Sequence, residues 1–479
     1  MTAIPFDNSY ARLPERFYRR QAPTPVTAPR LVVLNVPLAE ALGIDPDWLA
    51  SEEGVAVLAG NRLPEGAEPI ATAYGGHQFG HWNPYLGDGR AILLGEVISP
   101  AGERFDLQLK GAGPTPFSRM GDGRAPLGPV LREYLVSEAM AALGIPTTRS
   151  LAVVLTGEVV YRERPLPGAI LCRVARSHIR IGHFQYFFAR RDLEALDLLL
   201  DHVIDRHYPE LRQADNPALA LLEAVVARQA ALVARWEGVG FVHGVMNTDN
   251  MLVCGDTIDY GPCAFLDAYD PAACFSSIDH AGRYAFHNQP AIAHWNLACF
   301  AQALLPLIDE DESRAVALAQ EHIDAFPERY RAEREGVFHR KLGFAAADEQ
   351  TRAFVTALLD RMAAEGLDYT CTFRALAWEA AGGRAPSHFS LPRHWQALVE
   401  EWRALRGAAE GDLLAVNPAR IPRNHQIQRV IEAAERGDFT PFFALAQALA
   451  EPWTEQPKWS SFDLPPAPDE RVRVTFCGT

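Results

Sequence analysis

Through the first third of the chain, short apolar runs alternate with Gly, Pro and Asp; beyond it, helical periodicity takes over. The stretches ILLGEVIS (92–99), RFDLQLKG (104–111), SLAVVLTG (150–157) and EVVYRE (158–163) are rich in aliphatic and β-branched residues and bounded by turn formers, the pattern of strands. One helix interrupts them, with Pro129 in its first turn, VLREYLVSEAMAAL after it and Gly144 just past its end. Residues 1–68 are Pro-interrupted, with one short helix near Leu38–Leu42. Farther on, Asn216-Pro217 opens a long helix, LALLEAVVARQAALVARWE, which Gly238 closes. Helical patterning continues to about residue 450, and the Pro-rich stretch Glu455–Asp469 reads as a linker to the tail RVRVTFCGT. These patterns predict an α+β protein in four parts: an N-terminal extension (1–68), a strand-rich lobe with one helix (69–170), a helical lobe (171–400) and a helical C-terminal extension (401–479).

A length of 479 residues is more than one core usually fills, which agrees with two lobes. The formal charge of −15 argues against a nucleic-acid binder, whose face must neutralise phosphates, but leaves room for a local basic pocket for one nucleotide. There is no unbroken apolar run of about 18 residues to read as a membrane span. The N-terminus lacks the apolar segment of a secretory signal, so a cytoplasmic protein is expected. Cysteines at 172, 254, 263, 274, 299, 371 and 477 stand singly, which reads as a reducing compartment rather than a disulfide framework.

Candidate chemistry concentrates in FVHGVMNTDNMLVCGDTIDYGP (241–262), directly after the long helix. His243 and Asn250 are related as the first and last residues of a protein-kinase H-R-D-x-x-x-x-N loop, and Asp259-Tyr260-Gly261 takes the place of D-F-G. An Asn amide and an Asp carboxylate are hard oxygen donors suited to the Mg²⁺ of a nucleotide, making Asn250 and Asp259 the candidate metal ligands. Val245 occupies the position of the kinase catalytic Asp and cannot accept a proton. Two readings stay open at this point: a catalytically inactive ATP-binding scaffold, or chemistry through another group, with Asp249 the nearest base.

Upstream, Lys110 ends a strand as a phosphate-holding kinase Lys does, and Glu133 lies in the isolated helix where its ion-pair partner would be. The turns LGDGRA (Gly87, Gly89, Arg90) and RMGDGRA (Asp122, Gly123, Arg124) offer backbone N–H groups and a guanidinium to phosphate oxygens. CRVARSHIRIGHFQ adds Arg173 and Arg180 in a strand-to-helix passage, cations that do not titrate. His77 and His81 have an i, i+4 spacing, but Gly75, Gly76 and Gly80 oppose a helix, so packing and hydrogen bonding near the nucleotide or at the junction of the lobes is expected rather than zinc binding. Together with the strand-then-helix layout, these motifs predict a protein-kinase-like bilobal fold.

Four segments carry a closer likeness. YGGHQFGHWNPYLGDGRA, LQLKGAGPTPFSRMGDGRAPLGPVLREYLVSEAM, HGVMNTDNM and DYGPCAFLDAYDP resemble the selenoprotein O family of pseudokinases, the bacterial protein nucleotidyltransferases, and the similarity covers about residues 5–479. The resemblance implies a kinase-like fold that binds ATP in a flipped orientation and transfers AMP to Ser, Thr or Tyr hydroxyls of proteins, with UMP transfer from UTP and Mn²⁺ as a variant. It implies nucleotide contacts from Gly87, Gly89, Arg90, Lys110, Asp122, Gly123, Arg173, Arg180 and Asp259. Mg²⁺ would sit on Asn250 and Asp259, and Asp249 would be the proton acceptor. The implied partners are protein substrates, redox-related ones among them; neither nucleic acid nor membrane is expected, and the chain is expected to be a monomer. The family also implies a tail disulfide from Cys477 to Cys274 or Cys263, a pairing the sequence leaves open.

Overall fold

The computed structural model describes residues 4–407 and 411–476. The protein is mixed α+β, built around one antiparallel sheet. Its strands are β1 (Tyr18–Arg20), β2 (Arg30–Leu34), β3 (Ile70–Thr72), β6 (Ala91–Ile98), β7 (Arg104–Lys110), β9 (Arg149–Tyr161) and β10 (Pro165–Ala175), in the spatial order β1-β3-β6-β7-β10-β9-β2; β8 (Ala125–Pro126) pairs with β10. Two small pairs lie apart: the hairpin β4 (Gly76–Gln78) with β5 (His81–Asn83), and β11 (Phe241–Val242) with β12 (Ala264–Phe265).

Alternation along the strands decides what each face of the sheet carries. Leu107 and Leu109 of β7, with Ile170, Cys172 and Val174 of β10, pack on one face against Leu38, Leu42, Leu49 and Leu58 from short helices near the N-terminus. On the other face Ala169 and Leu171 join the core under the helix Leu127–Ala142. Lys110 is opposite Leu171, and Gln108 is opposite Arg173. The period of two therefore turns Lys110, Gln108 and Arg173 toward that helix, which is how three polar residues end up beneath a buried helical face.

The helical half is centred on Pro217–Val239, a 23-residue helix packed against Gln289–Ile308 and Phe326–Leu342. Two helical stretches, Pro217–Val239 and Phe286–Ile308, are long and apolar enough on average to cross a membrane, although polar residues interrupt both. In each, 56% of the apolar window is buried against the rest of the chain, the position of a core helix.

The structure departs from the sequence expectations at several boundaries. SLAVVLTG and EVVYRE are one strand, β9, because β10 pairs on both sides of Gly157, which absorbs a bulge at φ +75°. The isolated helix begins at Leu127, two residues before Pro129. Gly238 lies inside its helix, buried against Val337; the left-handed cap is Gly240. Both β1 and β2 precede residue 69 yet belong to the main sheet, and the division at 170/171 falls inside β10. The stretch read as a linker is also packed: buried Arg420 pairs with Asp463 at 2.8 Å, and buried Arg374 binds Glu455.

One core residue has a measurable cost. Lys341 is 4% exposed, its amine 4.2 Å from the centroid of the Phe373 ring, and burial drops its pKa from the ordinary 10.5 to about 7. The unfolded chain binds the extra proton between those values, so this group makes stability rise with pH from about 7 to 10.5. Lys341→Met, of similar shape, is expected to stabilise the protein by ~1–3 kcal/mol at pH 6, with the gain shrinking toward pH 10. Calorimetric melting at the two pH values checks it, and a gain independent of pH would contradict this account.

Candidate active site

Pairing of β11 with β12 brackets residues 243–263 and folds that segment back under the sheet. His243 is buried and pinned at both ring nitrogens: Nε2–H donates to Ile258 O (2.9 Å), and Nδ1 accepts from Val245 N–H (3.3 Å). Val245 is itself buried, and its carbonyl accepts from Asn250 Nδ2 at 3.0 Å. That bond uses the amide nitrogen of Asn250 and leaves its carbonyl oxygen as the free donor atom.

An ion-pair cluster joins the sheet to this segment. Lys110 at the end of β7 bonds Glu133 of the Leu127–Ala142 helix and lies 3.2 Å from Asp259 Oδ1. Arg173 of β10 donates from Nε to the same Glu133 at 2.7 Å. Burial would raise both carboxyls. Lys110 and Arg173, with Arg90 nearby, hold Asp259 well below the usual carboxylate range, and Arg173 and Lys110 hold Glu133 low. Asp259 has φ +67°, a left-handed conformation that Asp tolerates better than most residues, and it swings the carboxylate to the Lys110 side.

Asp249 has the opposite electrostatics. Burial pushes its carboxyl up to about 6, against the pull of a backbone N–H, of Arg180 and of Gln78, whose Nε2 is 3.5 Å away. Its Oδ1 is buried with no hydrogen-bond partner. The β4–β5 hairpin covers it: a Cβ on Gly76 would come within 3.0 Å of Oδ1, and one on Gly182 would strike the Gly75 carbonyl at 2.2 Å. His77 N–H donates to Thr248 Oγ1 (2.7 Å), and Phe79 N–H and the Tyr284 hydroxyl both donate to Asn247 Oδ1 (3.0 and 2.6 Å). The hairpin is thus strapped onto the turn that carries Asp249 and Asn250.

Arg180 is buried 4.6 Å from the Tyr74 ring centroid and 3.6 Å from Asp88, with its Nε unpartnered. Gly87 and Gly89 lie against Phe117 and Ser118 of the 111–124 loop, where a Cβ on Gly87 would meet the Phe117 ring at 2.5 Å. Gly123 closes that loop on Gly113, with N–H to carbonyl at 3.1 Å and no space for a side chain. Asp122, exposed at the same loop, binds Arg162 (2.8 Å) rather than any member of the cluster. The structure therefore brings Lys110, Glu133, Arg173, Asp259 and, electrostatically, Arg90 together, with Asp249 and Asn250 on the neighbouring turn and Arg180 at the start of the Ile181–Ala189 helix. Asp122 and Gly123 are held on the flanking loop. Gln78, Asn247, Thr248 and Tyr284 were not anticipated; they act through contacts across 37 to 171 positions of sequence.

Among the described residues no three His, Cys, Asp or Glu side chains assemble as a metal-binding group. Asn250 keeps its amide oxygen clear of the Val245 bond and Asp259 is held ionised beside Lys110, so the two offer hard oxygen donors of the type Mg²⁺ takes. His77 is half-buried between Trp82 and Trp295, and His81 is exposed across the hairpin from Gln78. Burial lifts the Cys263 and Cys274 thiols to about 11, and Cys477 lies outside the described residues.

A family profile described as protein adenylyltransferase SelO matches residues 1–450. The chain is 58% identical to a protein named protein nucleotidyltransferase YdiU from Methylorubrum populi, with all of both chains covered. Proteins of the same name from Rhodopseudomonas palustris (57% identical, 99% of each chain) and Rhizobium leguminosarum bv. trifolii (55%, covering 100% of this chain and 98% of the relative) are similar along their whole lengths.

Proposed function

This chain belongs to the protein adenylyltransferase SelO family, and on that footing we propose that its cleft transfers AMP from ATP to a hydroxyl of a protein substrate. The observation that carries the reading is the pairing of two unlike carboxylates. Asp259 is held ionised within the Lys110–Glu133–Arg173 cluster, and Asp249 has a raised proton affinity beside it. Val245 leaves the position of a kinase base apolar. The Lys110–Glu133 pair under a single helix, followed by a helical half that carries the 243–261 segment, supports a protein-kinase-like bilobal arrangement.

In this reading Lys110, Arg173, Arg180 and Arg90 bind and orient the phosphates, and the glycines at 87, 89 and 123 let backbone approach them. Asn250 and Asp259 would hold Mg²⁺ or Mn²⁺, which when bound offsets charge on the phosphate oxygens. Asp249 takes the proton of the acceptor hydroxyl as that oxygen bonds to the α-phosphorus. The α–β anhydride bond breaks, its electrons leave with pyrophosphate, and the product is an AMP phosphodiester on the protein. UTP could be used in the same way to transfer UMP.

Incubation with Mg²⁺ and a protein acceptor tests this. Label at the α-phosphate of ATP is expected on protein, with pyrophosphate released. Label from the γ-phosphate without label from the α-phosphate would replace the reading with phosphoryl transfer, and ATP binding with no transfer would leave a scaffold.

A further inference from the structure

The outer side of the β4–β5 hairpin carries a feature that nucleotide binding does not use. Arg283 reaches the hairpin tip at Gly80 and lies 4.9 Å from the Trp295 ring centroid. Arg190 lies over Tyr186 at 3.5 Å and near Tyr85 at 5.7 Å, and donates to the Pro84 carbonyl just past the hairpin. Neither guanidinium bonds a carboxylate among the described residues, in a chain with 60 acidic side chains. Asp279, the acid nearest in sequence to Arg283, spends both oxygens on backbone N–H groups of Arg283 and Tyr284. Arg283 also keeps a buried, unpartnered Nε. Tyr85, 71% exposed, stands beside Arg190, and Trp82, 37% exposed, packs on His77 of the same hairpin.

Two stacked, unneutralised guanidiniums with open aromatic surface suit a polypeptide that brings carboxylates and apolar contact area. The inner side of the same hairpin packs on one oxygen of Asp249, which stays partly exposed, so a chain docked on the outer side lies along the strap that borders the proposed base. We propose that Arg190 and Arg283, with Tyr85, Trp82 and Trp295, form the docking surface for the acceptor polypeptide, and that it selects hydroxyl residues lying among acidic side chains. This inference rests on the nucleotidyl-transfer reading and adds the class of acceptor sequence.

The test uses the full chain, α-labelled ATP and three synthetic peptides of equal length, each with a central Tyr flanked by Glu, Gln or Lys. The Glu peptide is expected to be labelled with a kcat/KM about tenfold above the Gln peptide and further above the Lys peptide. Arg190→Gln with Arg283→Gln should raise KM for the Glu peptide toward that of the Gln peptide with kcat within about twofold. The double reversal to Glu should move the preference to the Lys peptide, a rescue that damage to the fold would not produce. Equal labelling of the three peptides, or of none while the chain labels itself, overturns the docking inference and leaves nucleotidyl transfer standing. Absence of label on any protein while ATP binds overturns the transfer reading itself.

Discussion

Asp259→Asn is expected to lower AMP transfer by about 100- to 1,000-fold, or ~3–4 kcal/mol of transition-state stabilisation. Asparagine is the informative replacement because position 259 has φ +67°, which Asn tolerates and Ala does not without strain. The substitution keeps the shape and one oxygen but removes the charge that Lys110 meets at 3.2 Å. Lys110 keeps Glu133 as a partner, so the amine is not stranded. Because the folded-state pKa of Asp259 lies below the ordinary value, its ionised form contributes stability above the carboxylate range, lost only on acidification. The variant should therefore be modestly less stable at pH 7, by ~1–2 kcal/mol, and melt at a lower temperature. Single-turnover transfer of α-label together with calorimetry reads both effects; full activity would remove Asp259 from the proposed metal and phosphate site.

Asp249→Asn should be equally damaging to transfer and of opposite sign for stability. An amide cannot accept the acceptor's proton, and loss of a general base typically costs 10²–10⁴-fold in rate. Here, however, Oδ1 of the carboxylate is buried and unpartnered, and burial has raised its pKa to about 6. A folded-state pKa above the unfolded 3.8 means that stability falls as pH rises from about 4 to 6 and stays lowered above that. Replacing the charge by an amide relieves the penalty, so without added divalent metal the variant should melt higher than the parent at pH 7.5. Nucleotide binding, which we assign to the Lys110 cluster, should be little changed. A variant that transfers AMP at the parental rate would put the proton elsewhere. One less stable than the parent at pH 7.5 would show that the carboxylate is better solvated than its surroundings indicate.

The contrast between these two aspartates also marks how far the amino-acid sequence could be read. Local signals were enough for the strands at Ala91–Ile98 and Arg104–Lys110, for the single helix between strands and for the long helix opened by Asn216-Pro217, because period-two and period-3.6 patterns and their caps are contiguous in the chain. Boundaries went astray where tertiary pairing overrode a breaker. Gly157 does not end β9, since β10 pairs beyond it, and Gly238 does not end its helix, since Val337 packs against it. Buried arginines at 374 and 420 organised a Pro-rich stretch whose composition alone reads as a linker.

For the proposed site, the spacing of Lys110, Glu133, Asn250 and Asp259 was legible in one dimension, since the reading asks for charge or hard oxygen donors at those positions, as was the apolar Val245 where that reading has no base. Which carboxylate is ionised and which holds a raised proton affinity could not be read there. That difference comes from Lys110 meeting Asp259 across 149 positions and from a hairpin closing over Asp249 across 171. Burial and through-space charge set a pKa, and neither exists until the sheet, the strap and the turn are folded together.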